Sequence, residues 1–158
     1  DLELAADGGA DGVGLLRTEF LFLDRTDAPD EEEQYRAYSE AVRRMGGRRL
    51  VLRTLDAGAD KPLAYLPMPV EENPFLGVRG VRLSLQRPAM LTAQLRAALR
   101  TAAEGPVGVM FPMVSERAEL TAARAGTRRQ PRAPRRRCRA GPRARPRRRS
   151  TESGGTAP

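Results

Sequence analysis

Two short clusters carry the residue types that could do chemistry: Arg17-Thr18-Glu19, and Arg53-Thr54-Leu55-Asp56. Each closes an apolar run of strand length, Val13-Gly14-Leu15-Leu16 before the first and Leu50-Val51-Leu52 before the second. Each run therefore reads as a buried strand that delivers charge at its carboxyl end. If the two strands lie side by side and parallel, Arg17 and Arg53 converge on one small anion. A planar fork of N–H donors suits phosphate or carboxylate better than the point charge of a lysine. A competing reading has each arginine paired with its own neighbouring acid, Glu19 or Asp56. One arginine alone would favour that pairing; the repeated arrangement puts the anion site on an equal footing. Gly58-Ala59-Asp60-Lys61 follows the second run, and Asp60 and Lys61 read as solvent-facing loop residues.

The elements that must position these arginines are legible from pattern. Asp1 to Asp7 suits the last turns of a helix, stopped by Gly8-Gly9. Pro29-Asp30-Glu31-Glu32-Glu33 is a helix start, with acids at the positive end of the helix dipole. Tyr35, Tyr38, Ala41, Val42 and Met45 then recur at helical spacing until Gly46-Gly47. Residues 62–74 hold four prolines and no periodicity, a loop long enough to suggest a functional role. A short helix is expected to end near Arg87, and Pro88 opens another with Met90, Leu91, Gln94, Leu95, Ala98 and Leu99 on its faces. Val107-Gly108-Val109-Met110-Phe111 is a third strand, and Ser115 with Glu116 and Glu119 reads as a further helix start. Apolar strands alternating with helices argue for an α/β fold with a parallel sheet, whose functional side chains gather at the strands' carboxyl ends. Element order alone leaves an open doubly wound sheet and a β/α barrel both standing.

Composition divides the chain. Thirteen of the 28 Lys and Arg lie in the last 38 residues beside a single acid, Glu152, leaving fifteen cations against nineteen acids in residues 1–120. The overall charge of +8 thus averages a mildly acidic body and a strongly basic tail. A lone cysteine, Cys138, excludes an internal disulfide framework and fits a reducing compartment. Nothing resembles a signal peptide or an apolar run long enough to span a membrane, so a soluble cytoplasmic protein without membrane insertion is the expectation. The chain opens at Asp1, which reads as a fragment that begins elsewhere.

Four segments resemble the C-terminal, phosphoenolpyruvate-binding domain of the enzyme I family of the bacterial sugar phosphotransferase system, the phosphoenolpyruvate-protein phosphotransferases. They are Gly14-Leu15-Leu16-Arg17-Thr18-Glu19-Phe20-Leu21-Phe22; Arg53-Thr54-Leu55-Asp56 through Asp60-Lys61; Glu72-Asn73-Pro74-Phe75-Leu76-Gly77-Val78-Arg79; and Met110-Phe111-Pro112-Met113. They stand in the family's order over residues 1–120. Pyruvate phosphate dikinase and phosphoenolpyruvate synthase share a looser version. The resemblance implies a (β/α)8 TIM barrel, of which the first three βα units are present. It implies phosphoenolpyruvate and Mg2+ bound at the strand ends and a phosphoryl group passed to a protein histidine during sugar uptake. A phosphocarrier protein and a second copy of the chain are the partners it implies. Arg17 and Arg53 match the family's phosphate-holding arginines, and Arg79 matches another near that pocket, with pairing to Glu71 or Glu72 as its competing role.

Departures from the family are as informative. The metal ligands that the family carries on later strands have no counterpart, nor has its proton-donating cysteine. Cys138 lacks the glycine-rich context, and no histidine is present to carry a phosphoryl group. The expectation is a shortened phosphotransferase domain, inactive alone, with no catalytic residue of its own. After Leu120 the resemblance stops, and from Arg124 to Arg149 the chain is almost wholly Arg, Pro, Ala and Gly, which cannot build a core. Residues 121–158 therefore read as a disordered basic tail. Two origins stand: an arm that binds nucleic acid through its phosphates, making the chain a basic-tailed nucleic-acid-binding protein, or out-of-frame translation of a GC-rich gene. The second is preferred because the break falls inside a barrel.

Overall fold

The computed structural model describes residues 2–58, 63–68 and 70–128. Three strands form one parallel sheet in the order β1 (Gly12–Arg17), β2 (Arg49–Arg53), β3 (Val107–Met110). Helix α1 (Leu2–Asp7) precedes the sheet, α2 (Glu31–Arg44) joins β1 to β2, and α3 (Val81–Gln86) with α4 (Pro88–Thr101) joins β2 to β3. Helix α5 (Arg117–Arg128) follows. Every helix and strand read from the sequence is present.

The local causes are visible at α2. Asp30 accepts from the Glu33 backbone N–H at 2.7 Å, and the Glu33 carboxylate accepts from the Asp30 backbone N–H at 3.0 Å, a reciprocal capping box. The helix stops where Gly46 and Gly47 take φ of 58° and 82°, a region that a side chain disfavours. Tyr38, Ala41 and Val42 of α2 and Ala97 and Ala98 of α4 pack on Leu50 and Leu52 of β2. Burying each leucine contributes roughly 1.5–3 kcal/mol. Both crossover helices thus cover the same face of the sheet. On the opposite face Val51 and Arg53 are only half-buried.

A second core lies beyond the strand ends, where Phe22, Leu55, Ala57, Leu63, Leu66 and Leu83 come together. The described part of residues 62–74 forms no helix or strand, in keeping with the loop read there, but this loop contributes to the core. Leu63 and Leu66 face each other across a tight bridge, and the Tyr65 hydroxyl donates to the Phe22 carbonyl at 2.9 Å. Two leucines three apart in a turn show neither a helical nor a strand period, so pattern reading passes over them.

The folded body also runs past Leu120. Helix α5 crosses that point, and Ala123 is fully buried. From residue 129 onward the basic tail, with Cys138, lies outside the described residues, as do Asp60 and Lys61. No described helix is long and apolar enough to cross a membrane.

Candidate functional site

The carboxyl ends of β1 and β2 meet in register, with Leu16 opposite Leu52 and Arg17 opposite Arg53. Neighbouring strands stand about 4.8 Å apart, so the two arginines leave the sheet side by side on the same face. The condition set by the sequence for a shared anion site, adjacent parallel strands, is met.

The ion pairing follows the competing reading in part: Arg53 pairs with its own neighbouring acid Asp56, whereas Glu19 pairs with Arg53 and not with Arg17. Arg53 binds Glu19, the acid that follows Arg17 on the neighbouring strand, through a short hydrogen bond from Nη2, and it lies 3.5 Å from Asp56. Asp56 in turn accepts from Nε and Nη2 of Arg79, both at 3.2 Å. Arg79 is buried and also lies over the Phe75 ring at 4.8 Å. Its expected partner Glu71 instead accepts the Val78 backbone N–H at 3.0 and 3.2 Å. Arg17 is exposed and makes no ion pair or hydrogen bond among the described residues.

Among the described residues three guanidinium groups, those of Arg17, Arg53 and Arg79, thus stand with the carboxylates of Glu19 and Asp56 at the strand ends. Three buried polar atoms there have no hydrogen-bond partner among the described residues: Arg53 Nε, Thr54 Oγ1 and Glu19 Oε2. Buried polar atoms are paired in the great majority of cases, so these three call for a partner from outside the described residues. Two donors, one of them a guanidinium N–H, beside a free arginine suit an oxyanion.

The same residues do not fit a magnesium ion. Mg2+ demands near-octahedral oxygen ligands and avoids cationic neighbours, whereas Glu19 and Asp56 both sit on guanidinium groups. Among the described residues no three carboxylate, thiol or imidazole side chains gather to hold a metal.

Beneath the arginines lies a buried polar network that pattern reading did not assign to the site. Gln94 of α4 reaches the strand ends, bonding Thr18, Tyr38 and the backbone of Leu55. Thr18 donates to the Arg53 carbonyl at 2.8 Å. Burial pushes the Tyr38 phenol up to about 12, so its hydroxyl stays protonated over the neutral range. The available signal was a single amide within the apolar stripe Leu91, Leu95, Ala98 of α4.

Fold and site together define a parallel α/β domain that presents arginines at its strand ends, and sequence comparison places that class. The family described as PEP-utilising enzyme, PEP-binding domain matches residues 1–138, and the chain belongs to it. It is 57% identical over 128 residues to a phosphoenolpyruvate-protein phosphotransferase of Haloferax volcanii, covering 78% of this chain and 23% of that protein. The protein of the same name from Haemophilus influenzae is 54% identical over 114 residues, covering 72% of this chain and 20% of that one. A multiphosphoryl transfer protein of Xanthomonas campestris is 52% identical over 122 residues, covering 77% and 15%. The chain spans about a fifth of the length of these curated relatives. The family match, like α5, continues beyond Leu120.

Proposed function

We propose that the strand ends of β1 and β2 bind the phosphate of phosphoenolpyruvate, with Arg17 and Arg53 as the gripping pair and Arg79 fixing the acids around them. The observation that carries this is the register that sets Arg17 opposite Arg53 while Arg17 keeps its donors free. Phosphate oxygens accept from both guanidinium forks; Glu19 and Asp56 hold Arg53 in place and keep the site from overcharging. Family membership supports the choice of ligand.

The body reads best as the first three βα units of a (β/α)8 barrel. Sequential strand order with both crossover helices on one face suits a singly wound sheet, since doubly wound sheets place helices on both faces. Phosphoryl transfer to a protein histidine, in a cytoplasmic sugar-uptake system with a phosphocarrier protein and a homodimeric enzyme, is the activity such a barrel would serve. That transfer needs a metal on the moving group, for which no three ligand side chains gather among the described residues, and a histidine, which these 158 residues lack. The role proposed for this chain is therefore binding of the ligand.

Calorimetric titration of phosphoenolpyruvate into the full chain tests the reading. Arg17→Ala removes charge-assisted hydrogen bonds worth about 1.5–3 kcal/mol, a loss of roughly 10- to 150-fold in affinity. An unchanged affinity in a folded Arg17→Ala sample would sink the anion site.

A further inference from the structure

We infer that Gln94, a residue of α4 remote in sequence from both arginines, is the positioning residue that fixes the spacing of the Arg17 and Arg53 strand ends; the inference rests on the anion site proposed above. The Gln94 amide is buried and all its polar atoms are used. Its Oε1 accepts the Leu55 backbone N–H at 2.9 Å, two residues past the end of β2. A backbone N–H can only donate, so this bond fixes which way round the amide sits. Nε2 therefore faces Thr18 Oγ1 at 3.2 Å and the Tyr38 hydroxyl at 3.1 Å, and it donates to both.

Each bond then runs in one direction. Thr18, the residue after Arg17, accepts from Gln94 and passes its own proton to the Arg53 carbonyl at 2.8 Å. Tyr38 accepts from Gln94 and donates to Gln34 Oε1 at 3.1 Å, and Gln34 Nε2 donates to the Pro29 carbonyl at 3.0 Å. One amide thereby joins the chain after β1, the chain after β2 and helix α2. The first two are the segments that carry the arginines. Beyond their last register pair no sheet hydrogen bond joins β1 to β2, so the two ends are held by the Arg53–Glu19 ion pair and by the Gln94–Thr18–Arg53 link, of which the second also ties in the chain after β2 through Leu55.

Gln94→Met keeps the side chain's length and removes both halves of the clamp. Thr101→Val is the control: Thr101 is equally buried on α4 and bonds only the Ala97 carbonyl at 2.9 Å, away from the strand ends. Phosphoenolpyruvate is titrated into the full-length wild type, both variants, Arg17→Lys, and Gln94→Met combined with Arg17→Lys. Thermal melting establishes the folded fraction of each sample. Because an ångström of misplacement costs up to roughly a hundredfold, Gln94→Met is expected to weaken binding by at least about tenfold, while Thr101→Val leaves binding intact. Arg17→Lys breaks the fork whose position Gln94 sets, so the two losses should combine to much less than their product. Amide exchange at Leu55 should rise in Gln94→Met without any ligand present. Unaltered binding in folded Gln94→Met, or losses that simply multiply, would overturn the positioning role and leave the anion site standing. Absence of binding in wild type would overturn the anion site, and a rise in Leu55 exchange would then reduce Gln94 to a structural clamp. Should Gln94→Met not fold, Gln94→Glu, which keeps the acceptor for Leu55 and removes the donor to Thr18, gives the same comparison.

Discussion

Arg53 and Arg17 stand opposite each other at the ends of adjacent strands, yet their removal should have very unequal consequences for stability. The Arg53 side chain is 18% exposed, with Glu19 and Asp56 at 8% and 7%. Arg53→Met leaves Asp56 on Arg79 but strands the Glu19 carboxylate without a cation among its described neighbours. Removing one partner of a buried pair costs about 3–5 kcal/mol, because the remaining charge is left uncompensated. At a urea slope of about 2 kcal/mol per molar, the unfolding midpoint drops by roughly 2 M. Adding Glu19→Gln to Arg53→Met removes the stranded charge and should restore part of that loss. Arg17→Ala touches an exposed side chain and should stay within about 0.5 kcal/mol of wild type. Far-ultraviolet circular dichroism across a urea series reads all four chains; the protein has no tryptophan for a fluorescence assay. A midpoint for Arg53→Met within error of wild type, or an Arg17→Ala shift as large as that of Arg53→Met, would refute the ion-pair assignment.

Two pH effects follow from groups held away from their ordinary range. Burial raises the Tyr38 phenol from 10.0 to about 12; the fold favours the neutral form, so its contribution is intact below pH 10 and is lost as pH climbs through about 12. Tyr38→Phe should flatten that alkaline limb in a stability–pH profile, while unpairing the amides of Gln94 and Gln34 at a cost of about 1–3 kcal/mol. Glu104 is held below the usual carboxylate range by the Ser39 hydroxyl first and then by Tyr35. Its contribution is present above the unfolded value of 4.5 and is lost as pH falls through the lower folded value. Glu104→Gln should therefore make stability less sensitive to acid, and an unchanged acid limb would show that this carboxylate does not link α2 to the end of α4.

The elements were legible because each is locally consistent. Asp30 and Glu33 announce the start of α2 by their own chemistry, and Leu50-Val51-Leu52 has no alternative period. The two arginines were legible as a candidate pair for the same reason, a repeated pattern at two strand ends. What the sequence withheld was partner choice. Arg53 takes Glu19 because the register carries that acid across the strand boundary, and Arg79 takes Asp56 from 23 residues away, ahead of Glu71 and Glu72 close by in sequence. Sequence proximity is a poor guide to ion pairing wherever the chain turns sharply. Gln94 was hidden for a related reason: a lone amide in an apolar stripe looks like a tolerated exception until the backbone N–H and hydroxyls that need it are in place.

The two arginines, read together, show how an anion site and a fold can share residues without being the same thing. Arg53 is half structural: it is the cation that lets Glu19 be buried and it shares Asp56 with Arg79, so an anion arriving there must compete with carboxylates already held. Arg17 carries no such obligation among the described residues, and its guanidinium is free to turn toward a ligand. Variation at Arg53 therefore mixes loss of binding with loss of stability, and only the comparison with Arg17 separates them. Arg53 Nε and Thr54 Oγ1, which have no hydrogen-bond partner among the described residues, bear on the same comparison. A buried donor left unpaired costs about 1–3 kcal/mol, a penalty that an oxyanion bound there would relieve.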